Sequence, residues 1–134
     1  MNIPKDAIVA VADGEILHLY HNTGDEAAPR LAAIEHGAVD TDNMGSGGRH
    51  HSSAANPSDS QLEEDSFAAG TAAMLNKRVL DGKIEALIVI AAPRTLGELR
   101  KHYHKALAAV LVGEIAKELT GHSIADIEKT IAAN

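Results

Sequence analysis

The sequence predicts an α/β fold with a mixed sheet, and three stretches carry that prediction. Residues 7–21, AIVAVADGEILHLYH, set two apolar runs on either side of Asp13-Gly14, the strongest short signal for a β-hairpin. Residues 87–90, LIVI, form an unbroken apolar run rich in β-branched side chains, which suits a strand buried on both faces. Helical patterns precede and follow that run, so strands and helices alternate as they do where helices cover a sheet.

In chain order, Ala7 to Ala12 is the first strand and Glu15 to His21 the second. A two-residue type I′ turn at Asp13-Gly14, which needs positive φ, joins them. Asn22 to Asp25 is a loop, and Leu31 to Ala38 is a third strand, although its Ala, Leu and Glu also suit a helix. Residues 40–57, DTDNMGSGGRHHSSAANP, contain almost nothing apolar. They predict a long flexible loop, of a length that in compact domains is usually functional or disordered. Ser60 and Glu63 have the S/T-x-x-E spacing of a capping box, so a helix runs from about Gln61 to Leu80 and ends at Asp81-Gly82. Phe67, Gly70, Thr71, Met74, Leu75 and Arg78 lie on one stripe of it. Gly70 costs about 1 kcal/mol of helix propensity, which close packing against the sheet would offset.

Pro93 ends the apolar run, and Thr95 with Glu98 makes a second capping box that starts a helix at Leu96. Arg94 then lies in the turn between strand and helix, where ligands of open α/β sheets usually sit. Leu107, Val110, Leu111, Ile115 and Leu119 recur at helical spacing, yet Val110 to Ile115 reads equally as a buried strand after a short helix. Ser123 with Asp126 caps a last helix that turns Ile124, Ile127 and Ile131 inward.

The 134 residues are enough for a single domain with a substantial core. Only Tyr20, Phe67 and Tyr103 are aromatic, so Ala, Val, Ile and Leu must fill it. Without cysteine there is no disulfide framework, thiolate metal site or thiol nucleophile. The first apolar run is too short for a signal h-region and no run approaches a membrane span, so a cytoplasmic protein with no membrane partner is expected. The formal charge of -7 argues against general attraction to nucleic acid, but it is unevenly divided. Residues 1–66 carry 12 acids and 3 bases, whereas residues 67–134 carry 7 acids and 9 bases. Within the second half Arg94, Arg100, Lys101, His102, His104 and Lys105 fall close together, with Glu98 the lone acid among them. That is a local basic surface or, more plainly, a solvated helix face.

Candidate chemistry follows from these patterns. Arg94, Arg100, Lys101 and Lys105, at a helix amino end and along that helix, are the phosphate-binding candidates, because a phosphate there meets side chains and backbone amides together. Arg100 has Glu98 and Glu35 as competing partners. In the long loop, Arg49-His50-His51 sets two imidazoles beside a fixed cation, a set able to act as acid, base and phosphate clamp in RNA cleavage. The plainer reading is a polar loop without chemistry. Adjacent histidines cannot easily face one ion, and no H-E-x-x-H spacing accompanies them, so no metal site is expected. Neither a G-x-G-x-x-G nor a Walker pattern is present, so no cofactor is expected.

Three segments resemble the bacterial host attachment protein family: AIVAVADGEILHLYHN, FAAGTAAMLNKRVLDGKIEALIVIAAPRTLGELRKHYHKAL and GEIAKELTGHSIADIEKTI. The most specific piece is AAPRTLGELRK, Ala91 to Lys101. That family is similar to the middle domain of archaeal and eukaryotic peptide release factors and of Pelota. The resemblance implies an RNase H-like sheet flanked by helices and makes Val110 to Lys117 a last strand. In such release factors the exposed loop carries a Gly-Gly-Gln tripeptide that enters the peptidyl-transferase centre. Gly47-Gly48-Arg49 stands in the matching place: the glycines match and the glutamine does not. Arg only donates hydrogen bonds and is permanently charged, so it cannot replace an amide, which leaves the Gly-Gly backbone to orient a water.

The resemblance at Gly47, Gly48 and Arg49, joined to the Arg49-His50-His51 reading of the same loop, makes Gly47, Gly48, Arg49, His50 and His51 the expected catalytic set. The resemblance implies tRNA or the ribosome as partner and hydrolysis of an ester bond, and the loop histidines add cleavage of an RNA bond as the other expected reaction. The alternative is a non-catalytic interaction module, binding a protein partner or a second copy of itself and affecting host attachment indirectly. Asp13, with Asp40 and Asp42, invites comparison with the carboxylates of RNase H-type nucleases. The Asp-Gly pair favours a turn role for Asp13, and a metal cluster would need the three carboxylates to converge.

Overall fold

The structure, a computed structural model, describes residues 1–41 and 59–134. Five strands form one sheet in the order β3-β2-β1-β4-β5. At its centre is β1 (Ile8–Ala12), with β2 (Leu17–Asn22) and then β3 (Leu31–Ile34) added antiparallel on one side. On the other side β4 (Leu87–Ala91) and β5 (Leu111–Ile115) run parallel to it. Every residue of β1 and β4 is buried, as central strands covered on both faces require.

The register sets Ile8 opposite Leu87 and Ala12 opposite Ala91, so alternate side chains enter two cores. On one face Ala10, Leu19 and Val89 meet Ala68, Ala72 and Leu75 of α1 (Asp59–Leu80). Leu96 and Leu99 of α2 (Pro93–Arg100) and Leu107 of α3 (Lys105–Val110) complete that side. On the other face Val9, Val11, Ile88 and Ile90 meet Ile127 and Ile131 of α4 (Ile124–Ala133). Burying one such Leu or Ile contributes about 1.5–3 kcal/mol, so these aliphatic layers hold the fold with almost no aromatic help. The mixed sheet is the one the sequence patterns predict, and its helices on both faces agree with the RNase H-like arrangement that the resemblance implies.

Several local expectations change. The β1–β2 turn is centred on Gly14-Glu15, one residue later than predicted, and is not type I′. Among the described residues only Asp6 and Gly82 have positive φ. Instead of relying on glycine's conformational freedom, the turn is held by the Asp13 carboxylate, whose Oδ1 accepts from the Glu15 and Ile16 amides at 2.7 and 2.6 Å. Neither of the first two capping boxes forms. Ser60 already lies inside α1, and Thr95 lies inside α2, which starts at Pro93. Proline suits a first helical position because its fixed φ is helical and its missing amide would have no partner there. Arg94 therefore belongs to the first turn of α2 rather than to a loop before it.

The Ser123 cap does form, its Oγ accepting from the Asp126 amide at 3.1 Å, although Ile124 is exposed rather than inward. At the other end of α1, Gly82 at φ 78° closes a Schellman motif in which the Lys83 amide reaches the Arg78 carbonyl at 2.8 Å. The third strand stops at Ile34, four residues short of the prediction. Residues 105–115 are a short helix followed by a strand, so helical spacing held only through Val110. Gly70 does allow a close approach, but to the chain leaving β3 rather than to the sheet. A Cβ there would meet the Asp40 carbonyl oxygen at 2.5 Å and Val39 Cγ1 at 2.8 Å.

Candidate nucleic-acid interface

Of the predicted cations, Arg94 and Arg100 lie on α2, Lys101 is its C-cap and Lys105 is the first residue of α3. The Ala92 carbonyl accepts the first bond of α2, from the Leu96 amide at 2.9 Å, and Arg94 projects from this turn with its side chain exposed. A groove runs between α2 and the first turns of α1, with Arg94, Glu98 and Lys101 on one wall and Gln61 and Asp65 on the other. Gln61 is held across its own helix by the Asp65 carboxylate, 2.6 Å from Nε2.

The four cations are not equivalent. Arg100 donates through Nε and Nη2 to one oxygen of Glu114 on β5, at 3.0 and 2.8 Å, and the hydroxyl of Tyr103 donates to the other at 3.2 Å. Glu98 and Glu35, the partners considered from sequence, do not hold Arg100. Lys101 pairs with Glu98 at 3.0 Å. Arg94 and Lys105 are exposed and form no ion pair with any described residue. Burial pushes the Tyr103 phenol well above the ordinary tyrosine range, and the charge and hydrogen bond of Glu114 push it further, against the pull of Arg100.

Lys105 stands on a different helix from Arg94 and Arg100, because α2 ends at Arg100 and α3 starts at Lys105. Asn76 of α1 fastens this joint on both sides: its Nδ2 donates to the His102 carbonyl at 2.8 Å and its Oδ1 accepts from the His104 amide at 2.9 Å. His104 is the N-cap of α3, its Nδ1 accepting from the Ala106 amide at 2.9 Å. His102 and His104 thus belong to the loop between α2 and α3.

With the sheet order and the helices around this groove established, residues 6–131 match the family described as Bacterial archaeo-eukaryotic release factor family 12. The chain belongs to that family. No curated protein matches it. The relation to the release-factor middle domain accords with the chain order seen here: hairpin, third strand, long segment, long helix, strand. In this family member the set Gly47, Gly48, Arg49, His50 and His51 lies outside the described residues, as does Asp42. The segment that carries them leaves after Thr41 and rejoins the described chain at Asp59, the first residue of α1.

Asp13 performs the turn role. It also reaches across the carboxyl end of the sheet, where its Oδ2 accepts from the Thr120 hydroxyl at 2.8 Å. Burial works to raise the Asp13 carboxyl, but the Glu15 amide, the Thr120 hydroxyl, the Ile16 amide and the charge of His18 together hold it below the usual carboxylate range. Among the described residues no three His, Asp or Glu side chains converge as metal ligands would, and no helix is long and apolar enough to cross a membrane.

Sequence reasoning missed Glu114, Tyr103 and Asn76, which arrange the cations. Glu114 and Asn76 sit 14 and 26 residues from the groups they hold, on other elements, and no spacing rule reaches that far. The only advance sign was Tyr103, an aromatic in an otherwise charged run.

Proposed function

We propose that this release-factor family member is a single cytoplasmic module that binds tRNA or the ribosome. Arg94 and Lys105 are its phosphate contacts, Lys101 is an exchangeable third, and Arg100 is chiefly a structural residue. The segment bearing Gly47-Gly48-Arg49, with His50 and His51, would carry the hydrolysis of an ester or RNA bond. The observation that carries this reading is the junction of that segment with α1. It returns at Asp59, and Gln61 and Asp65 of the next turns form one wall of the groove whose other wall is Arg94, Glu98 and Lys101. A phosphate held by Arg94 would lie near the base of the segment.

In ester hydrolysis the Gly-Gly backbone would orient the water. His50 or His51 would take its proton as the oxygen bonds to the carbonyl carbon, and the proton would pass to the departing tRNA hydroxyl. Arg49 in place of glutamine supplies charge to the developing oxyanion rather than an amide acceptor to the water.

Sedimentation with stalled ribosomes tests both parts, comparing the native chain with a Gly48→Ala, Arg49→Ala double variant while peptidyl-tRNA is followed in the same tubes. Co-sedimentation of both proteins is expected, with loss of peptidyl-tRNA only for the native chain. Co-sedimentation without turnover removes the hydrolytic part, and no association at low salt removes the reading.

A further inference from the structure

The two helices that wall the groove each carry one glycine, and the fold explains only one of them. Inside a helix glycine is the poorest residue but proline, because it gives up the most backbone freedom on folding. At Gly70 of α1 the chain leaving β3 uses the missing side chain, since a Cβ would stand 2.5 Å from the Asp40 carbonyl oxygen. At Gly97 of α2 a Cβ would meet nothing within 4 Å. No packing in the fold requires glycine there, and alanine would form the helix better.

Gly97 faces the groove between α1 and α2. Arg94, Gly97, Glu98 and Lys101 have the i, i+3, i+4, i+7 spacing of one helix face. The gap at Gly97 therefore lies between two cations, about 4.5 Å along the axis from Arg94 and about 6 Å from Lys101. Between those cations the groove offers oxygen acceptors. They are the carboxylates of Glu98 and Asp65 and the Gln61 Oε1, since Gln61 gives its Nε2 hydrogen to Asp65. Carboxylates repel a phosphate oxygen but accept readily from a hydroxyl.

From this arrangement we infer that Gly97 is the point at which a ribose-phosphate strand crosses α2. Arg94 holds a phosphate, the neighbouring sugar packs against the helix backbone at Gly97, and the groove carboxylates accept from its 2′-hydroxyl. That hydroxyl is what distinguishes RNA from DNA at a protein surface, so this notch selects RNA. A side chain at position 97 would fill the space the sugar needs. The inference deepens the function proposed above and rests on it, naming ribose as the group read in the groove.

The test measures folding and binding for the native chain, Gly97→Ala and Gly97→Leu. In urea, Gly97→Ala should raise the folding equilibrium constant about two- to fivefold, because the helix gains propensity and no clash is introduced. Gly97→Leu should be no less stable than the native chain. Binding is read by fluorescence anisotropy with labelled tRNA and with its deoxyribose counterpart of the same sequence. The native chain should prefer tRNA. Its affinity for tRNA should fall in Gly97→Ala and fall further, on the order of tenfold or more, in Gly97→Leu, with the preference over DNA shrinking in step. The salt slope should stay the same, because no cation is removed. Equal tRNA affinity in all three proteins, or no preference for tRNA in the native chain, overturns the inference and leaves the proposed function standing. A loss of stability in Gly97→Ala overturns it too, by showing that the fold itself needs the glycine. No binding of tRNA by the native chain at low salt removes the proposed function, and this inference with it.

Discussion

Arg100 and Lys101 differ from Arg94 and Lys105 in a way their charges do not reveal. All four are exposed cations within a dozen residues of one another, and any count of positive charge treats them alike. In the folded chain the first pair is engaged, Arg100 to Glu114 across to β5 and Lys101 to Glu98 of the last turn of α2, while the second pair has no described anion. A charge already neutralised by a carboxylate must exchange that partner for a phosphate, so it contributes less to binding than one that meets phosphate from water. The basic cluster is therefore two cations available to a ligand and two that largely hold the protein to itself.

The largest expected effect comes from breaking the available pair. Reversing Arg94 and Lys105 together to Glu should lower the salt dependence of RNA affinity by about two units of log–log slope and weaken binding on the order of tenfold or more at low salt. Arg100→Ala should leave that slope nearly unchanged, and Lys101→Ala should lower it by less than one unit. The check is fluorescence anisotropy with labelled tRNA at several salt concentrations. Equal slope changes for all four positions would show that the ion pairs exchange freely and that the distinction between the pairs is wrong.

The second effect runs through stability. Glu114 takes hydrogen bonds from both Arg100 and the part-buried Tyr103 hydroxyl, so Glu114→Ala leaves that hydroxyl without its acceptor. An unsatisfied part-buried polar group costs about 1–3 kcal/mol, and urea denaturation should show a loss of about 2 kcal/mol. The same substitution releases Arg100. Affinity for RNA should therefore rise in the variant that is less stable, an outcome that a purely structural or a purely binding account of Arg100 does not give.

What the sequence made legible follows from how local each cause is. The sheet could be read because its strands are short apolar runs whose burial is written residue by residue, and the end of α1 because only glycine fits comfortably at φ 78°. The Thr95–Glu98 and Ser60–Glu63 spacings misled because S/T-x-x-E also occurs inside helices. The true start of α2 was set by Pro93, and Ser123 succeeded where no proline competed. Residues 105–119 were ambiguous because Leu107 and Leu111 fit both periods, and the resemblance rather than the periodicity identified the strand. Of the candidate site, the cations themselves could be listed in advance. Their division into two pairs could not, because it depends on Glu114 arriving from a neighbouring strand.

The smallest effect at neutral pH becomes visible in alkali. Tyr103→Phe removes one hydroxyl and leaves Glu114 to Arg100, so a cost of about 1 kcal/mol is expected at pH 7. In the folded chain, burial and then the Glu114 carboxylate hold the phenol protonated well above its ordinary range. An unfolded chain loses that proton near pH 10. Between these limits the folded state binds one proton more than the unfolded state, so the stabilisation is complete below about pH 10 and is lost as pH rises beyond it. Urea midpoints measured from pH 8 to pH 11.5 should therefore fall more steeply for the native chain than for Tyr103→Phe, so that the two curves converge. Parallel curves would mean that the Tyr103 hydroxyl ionises as freely in the folded protein as in water. The Glu114 carboxylate would then be committed to Arg100 alone, and the engaged pair of cations would be held even more tightly than the shared acceptor suggests.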